Sequence, residues 1–285
     1  PNEAAGLVQD YATLALGGFG SYCGPDALLA ALAKRFDDTK HPSNLTVVTG
    51  ISTGDNTQNE LGMNRIAKEG LIETIIAAHL GNPPKISTLV AENKVAAYTL
   101  PLGVVAHLFR AISGKKPGVL THVGLRTFAD PAHEGCCANQ KARERGRKVV
   151  EAVNIGGKDS LFYPSFPLDI CFIRGTYADQ DGNISMAHEA LTGLEMEIAA
   201  AVHNCGGKVI VQVEKIVERG TIKPKEVRIH QSLVDYVVVA PGSEFHMQSY
   251  AGVDYRPELT GEIRCPADSI EAMKMSIRKI IARRG

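Results

Sequence analysis

Apolar and polar positions along the chain alternate between two patterns. Short β-branched runs at Leu45 to Thr49, Val119 to Val123, Ile170 to Arg174, Val209 to Val213 and Val234 to Val239 predict strands, and Leu14-Ala15-Leu16 opens another. A strand wet on one side alternates apolar and polar residues. Several of these runs are apolar on both faces, which predicts a parallel or mostly parallel sheet covered on both sides. Between them, Asp26 to Phe36 places Leu28, Leu32 and Phe36 at helical spacing behind Pro25. Leu102 to Ile112 and Leu194 to His203 also fit helices, the latter stopping at the C-cap sequence Asn204-Cys205-Gly206-Gly207. A final helix is expected over Ser269 to Arg284, after an irregular surface excursion from Ser243 to Ala267. The expected fold class is α/β, a three-layer α/β/α open and mostly parallel sheet.

Composition narrows the function classes. The chain has 285 residues, 44% hydrophobic and 22% charged, the balance of an ordinary globular protein. Thirty-one Lys and Arg offset thirty-one Asp and Glu, so no global field would hold a nucleic acid through many phosphates. No run of eighteen apolar residues occurs, and the first twenty residues lack the basic and apolar regions of a secretory signal. The expectations are no nucleic acid, no membrane and a cytoplasmic location. Six cysteines without a C-x-x-C pair are expected to be reduced thiols.

Three segments could carry chemistry. In the first, Leu14-Ala15-Leu16 runs into Gly17-Gly18-Phe19-Gly20 and then, past Gly24-Pro25, into a helix start. Glycines there let backbone N–H groups approach a ligand and face an anion or a developing oxyanion, although a tight turn alone would also use them. The segment matches neither G-K-[ST] nor G-x-G-x-x-G, so nucleotide hydrolysis and dinucleotide binding lose support. In the second, Thr49 to Glu60 follows a strand, where open α/β sheets bind ligands, and Asn56, Gln58 and Asn59 could donate hydrogen bonds to a carboxylate. A solvated loop satisfying its own turn is the competing reading. In the third, Asp179-Gln180-Asp181-Gly182-Asn183 lacks the further carboxylate of a calcium loop and is expected to be a tight Asp-Gly turn. No metal is expected, since the histidines show no H-x-x-x-H pair, and Cys136-Cys137 beside His133 gives no sign of an activated thiol.

Taken together, the segments resemble the class I coenzyme A transferases, and within them the acetate/propionate CoA-transferases, along the whole chain. Gly17-Gly18-Phe19-Gly20 with Pro25 is similar to the family's G-G-F-x-x-x-G-x-P signature, with Cys23 where the pattern has glycine. Gly118-Val119, Thr127-Phe128-Ala129-Asp130-Pro131, Leu161-Phe162-Tyr163-Pro164 and Arg174-Gly175-Thr176-Tyr177-Ala178-Asp179 follow in the family's order. Val211-Gln212-Val213-Glu214, Gly220-Thr221 and Val234 to Val239 complete the series. Leu102, in Pro101-Leu102-Gly103, stands where relatives often carry a glutamine.

The resemblance implies that residues 1–285 are the first, alpha-like half of a two-half enzyme, without the second half that carries the nucleophilic glutamate. No catalytic residue is therefore expected in this chain, and none of Glu134, Glu189, Glu195 or Glu244 sits in surroundings that resemble that glutamate's. The implied reaction moves CoA between small carboxylic acids of the acetate, propionate and acetoacetate class. It is ping-pong, through an acyl-glutamyl anhydride and a glutamyl-CoA thioester. Coenzyme A or acyl-CoA is then a substrate, with no permanently bound cofactor. Gly17, Gly18, Phe19, Gly20, Asn56 and Gln58 are the expected substrate-binding and oxyanion residues, the missing half is the expected partner, and a homo-oligomer is expected. Two rivals are a sugar-phosphate isomerase of related architecture, for which no phosphate site is apparent, and a catalytically silent ligand-binding or assembly module.

Overall fold

A computed structural model describes residues 1–240 and 242–285. Fourteen strands follow in chain order: β1 (Thr13–Phe19), β2 (Leu45–Ile51), β3 (Ile72–His79), β4 (Ala96–Thr99), β5 (Gly118–Thr121), β6 (Glu151–Ile155), β7 (Lys158–Pro164), β8 (Ile170–Arg174), β9 (Tyr177–Asp179), β10 (Ile184–Ser185), β11 (Lys208–Val213), β12 (Lys215–Val217), β13 (Val227–Ile229) and β14 (Tyr236–Val239). Seven of them form one sheet in the order β14-β11-β8-β1-β2-β3-β4, and each neighbouring pair is parallel. The helices are α1 (Asn2–Gly6), α2 (Asp26–Thr39), α3 (Pro84–Ala91), α4 (Leu102–Ser113), α5 (Gln140–Arg145), α6 (Glu195–Asn204), α7 (Pro257–Thr260) and α8 (Ile277–Arg284).

Both faces of the sheet are covered, which is why its strands read as continuous apolar runs. Leu14 and Leu16 of β1 pack with Leu28, Leu29, Leu32 and Phe36 of α2 on one side. Ala15, between them in sequence, joins Val105, Leu108 and Phe109 of α4 and Ile198 and Val202 of α6 on the other. The period of two along a strand and the helical stripe of α2 thus meet in one core, giving the α/β/α layers expected.

The order also fixes where a ligand can sit. After β1 the chain steps outward through β2, β3 and β4, then returns to lay β8 against the opposite edge of β1. β1 and β8 therefore flank the point where the winding reverses, and the crevice beyond their carboxyl ends is where open α/β sheets bind ligands. Gly17 to Phe19 end β1 there, with Gly20 in the turn just beyond, and Arg174 ends β8.

Three expectations need correction. The Val119 run does not join the large sheet: β5 pairs antiparallel with β7 in a separate sheet ordered β5-β7-β6. The excursion after Ser243 is not merely a surface loop, because Gln248, Ser249 and Tyr250 are buried and Tyr250 N–H donates to Ser21 O at 2.9 Å. The last helix starts only at Ile277, capped by Ser276, whose hydroxyl accepts from Lys279 N–H at 3.2 Å. No buried side chain follows Tyr250, so nothing supports a longer helix against the nucleation cost.

Candidate functional site

The corner at the end of β1 is built from a reversal that glycine makes possible. Phe19 and Tyr22 exchange both backbone hydrogen bonds, at 2.9 and 3.1 Å, around Gly20 with φ +61°. Gly18 has φ +93°, and a Cβ there would lie 2.6 Å from Thr53 Cγ2, so both conformation and space exclude a side chain. Cys23, standing where the signature has glycine, takes φ +56°, and its thiol donates to Leu191 O at 3.3 Å. A left-handed cysteine is strained, and that contact and its burial hold it.

The second segment folds against this turn. Gly54 N–H donates to Gly20 O at 2.9 Å, and Ser21 Oγ donates to Gly54 O at 3.0 Å. Asn82 lies on the same corner: its O accepts from Asn56 N–H at 2.9 Å, its amide approaches Asn56 Oδ1 at 3.4 Å, and its Nδ2 stands 3.6 Å from where a Gly20 Cβ would be. The expected residues Gly18, Gly20 and Asn56 are therefore brought together, with Asn82, absent from the expected set, between them. Gln58 is exposed and has no hydrogen-bond partner among the described residues, so the structure does not tie it to this corner. Asn59, also exposed, donates from Nδ2 to Asp55 Oδ2 at 2.9 Å. Burial opposes ionisation of Asp55, yet hydrogen bonds from Thr57 and Asn59 outweigh it and hold the carboxyl below its ordinary range.

The start of α2 is closed to ligands. Ala27 N–H donates to Gln212 Oε1 at 2.9 Å, and Gln212 Nε2 in turn donates to Phe245 O at 2.9 Å. Asp26, fully buried, accepts from Gly62 N–H at 2.7 Å and from Arg65 at 2.9 and 2.6 Å. The expected anion-facing helix end is thus engaged within the protein. Beside it Arg174, 1% exposed, donates from Nε to Glu189 Oε1 at 2.9 Å and from Nη2 to Met247 O at 3.0 Å. That pair binds the residues after Ser243 to the strand ends.

Under the glycine turn lies a carboxyl that the sequence offered no reason to choose. Glu195, the first residue of α6, is 1% exposed, and its Oε1 accepts from Gly18 N–H at 3.0 Å. Its Oε2 has no hydrogen-bond partner among the described residues. Burial pushes its pKa up to about 7. Phe19 N–H is likewise engaged, by Tyr22 O, whereas Gly20 N–H has no acceptor among the described residues. The rings of Phe19 and Tyr22 remain partly exposed at the rim.

The third segment is the tight turn expected: Asp179 accepts from the N–H groups of Asp181 and Asn183 at 3.0 and 2.9 Å, and Gly182 has φ +94°. The paired cysteines carry no activated thiol, since burial raises Cys137 and pushes Cys136 up to about 12.

The sheet is that of an open, parallel α/β protein, and its switch point, where folds of this class take up ligands, carries a glycine turn, a polar loop and an aromatic rim. The chain belongs to the coenzyme A transferase family, whose model, described as Coenzyme A transferase, matches residues 1–240. It is 41% identical over 282 residues to the caffeate CoA-transferase of Acetobacterium woodii, covering 99% of this chain and 53% of that protein. A crystal structure of the acyl-CoA transferase YdiF from Escherichia coli O157:H7, in thioester complex with CoA, matches with a TM-score of 0.88 at 33% identity, over 99% of this chain and 52% of that one. The probable coenzyme A transferase subunit alpha of Bacillus subtilis is 25% identical over 235 residues, which is 82% of this chain and 90% of that subunit. The chain therefore spans about half the length of its Acetobacterium and Escherichia relatives.

Proposed function

We propose that residues 1–285 form the alpha-like half of a short-chain acyl-CoA:carboxylate CoA-transferase, with acyl-CoA and small carboxylates of the acetate, propionate and acetoacetate class as its substrates. A beta-like second half delivers the nucleophilic glutamate, the partners associate into an oligomer, and the enzyme works in the cytoplasm. The observation that carries this reading is the glycine turn at the switch point with donors still open to a ligand. The half-length match to whole transferases and the nearly full-length match to an alpha subunit support it. Among the described residues no helix is long and apolar enough to cross a membrane.

In this reading the glutamate adds to the thioester carbonyl, whose oxygen takes up the negative charge of the tetrahedral intermediate; as that oxyanion collapses the C–S bond breaks, CoA leaves as thiolate and the acyl-glutamyl anhydride remains. The thiolate then attacks the acyl-glutamyl anhydride at the glutamyl carbonyl, releasing the acid and leaving a glutamyl-CoA thioester; the acceptor acid runs the sequence in reverse. This half holds the oxygen and walls the acyl group. Gly20 N–H and the side-chain amide of Asn56 are the open donors, Gly17 and Gly18 shape the turn, Gln58 extends the exposed loop, and Phe19 packs on the acyl chain. A preorganised donor of this kind is worth about a hundredfold in rate.

Exchange of label from acetate into acetyl-CoA tests the proposal. The chain by itself should exchange none and should gain activity on co-expression with a beta-like half; incorporation by the chain alone would overturn it. In the assembled enzyme Gly18→Val, which forces a side chain onto Thr53, should lower turnover by about a hundredfold or more. Wild-type turnover in that variant would remove the glycine turn from the site.

A further inference from the structure

A carboxyl shut away from water is costly unless it is well paired, and Glu195 is not. Oε1 accepts the Gly18 N–H at 3.0 Å and Oε2 has no partner within hydrogen-bond distance among the described residues; the nearby backbone amides of Gly193 and of Glu195 itself favour ionisation but do not offset the burial. An apolar side chain of similar size would fill the same space at lower cost. Even its neighbours make room for it: a Cβ at Gly193 would come within 2.9 Å of Oε2. What the carboxyl does gain is the Gly18 N–H, on a residue at φ +93° whose peptide has no side chain to hold its direction.

We infer that Glu195 is a positioning residue: its carboxylate anchors the Gly18 N–H and so fixes the direction in which the turn presents Gly20 N–H and the Phe19 ring to the crevice. The inference rests on the proposed role of that turn in holding the acyl group. A hydrogen bond to an ionised carboxylate is roughly twice as strong as one to a neutral group, so the anchor tightens on ionisation. The groups that face Glu195 are Glu189 with its partner Arg174, the thiol of Cys23, and Glu197 and Arg228 across a hollow of about 200 Å³. Glu189 opposes ionisation, adding to the effect of burial, so the anchor loosens as pH falls through about 7.

Selective labelling reads the anchor directly. In protein made with glycine carrying ¹³C at the carbonyl and ¹⁵N at the amide, the glycines preceded by glycine are Gly18, Gly157 and Gly207, so the Gly18 amide is one of three coupled signals. Its proton resonance should titrate with a midpoint near pH 7, and its intrinsic-rate-corrected hydrogen exchange should slow by about tenfold as the carboxyl ionises. Glu195→Gln keeps an acceptor and the volume but abolishes the titration. A Gly18 amide that is constant between pH ~5.5 and ~8.5, or that titrates equally in Glu195→Gln, overturns the inference whatever the activity. In the assembled enzyme Glu195→Gln should lower kcat about tenfold or more with KM for acyl-CoA unchanged, and an unchanged kcat also overturns it. Failure of the wild-type assembly to exchange label would instead sink the transferase reading, while the amide measurement still decides the role of Glu195.

Discussion

Leu14, Leu16, Phe172 and Ile210 of the sheet are shut away from water, whereas Ile270, Met273, Met275 and Ile277 near the carboxyl end are at least 62% exposed. The residues between these regions explain the contrast. Up to Tyr250 the chain is fastened to the strand ends by buried polar groups: Arg174 to Glu189 and Met247, Gln212 to Phe245, and Asp26, whose carboxylate accepts from the Tyr250 hydroxyl at 3.3 Å. From Pro257 onward no side chain is buried. Apolar content alone does not make a core; in this chain it becomes one where parallel strands and specific polar ties hold it. An uncovered row of large apolar side chains is a surface that soluble monomers rarely leave bare.

The fastening of the segment after Ser243 depends most on Arg174. Arg174→Ala strands Glu189 as an unpaired buried charge and should cost about 3–5 kcal/mol in chemical denaturation, while Arg174→Met with Glu189→Leu should recover most of that. A loss below ~1 kcal/mol for the single variant would mean that the pair does not hold the segment after Ser243. Glu195 gives the next largest effect. Its folded pKa, about 7, lies above its ordinary 4.5, so the native state binds the extra proton. Its contribution is fully present below pH 4.5 and is lost as pH rises through about 7, on the order of 3 kcal/mol. The wild type should lose that stability over this window relative to Glu195→Gln, and parallel stability curves would refute the shift. The smallest effect belongs to the exposed region. Ending the chain at Arg256 should move the sheet's Tm by about 2 °C or less, because no buried contact is removed. A drop of ten degrees would show that residues 257–285 are part of the cooperative unit.

Local sequence revealed the elements whose environment matches their pattern. The runs at Leu45, Ile170 and Val209 became sheet strands because both of their faces are buried, and the helix from Asp26 followed its stripe of Leu28, Leu32 and Phe36. The Val119 run carries the same β-branched signal yet pairs antiparallel with β7, since a strand's periodicity does not name its partner. The final helix failed where spacing had no tertiary surface to meet. At the site the glycine turn and Asn56 were legible from chemistry and position. Asn82 and Glu195 were not, because their roles depend on contacts with Asn56, 26 positions away, and with Gly18, 177 positions away.

The central strand has a consequence for how the molecule forms. β1 gains its second neighbour only when Leu14 pairs with Ile170, and Thr13 N–H reaches Asp169 across 156 positions at 2.7 Å. Closing so long a loop precedes any return in contact energy, which slows folding in topologies of this kind. During synthesis from the amino end, the β1–β2 half-sheet would therefore wait with a raw edge exposed until the second flank emerges, and the corner between β1 and β8 would be among the last parts of the sheet to mature.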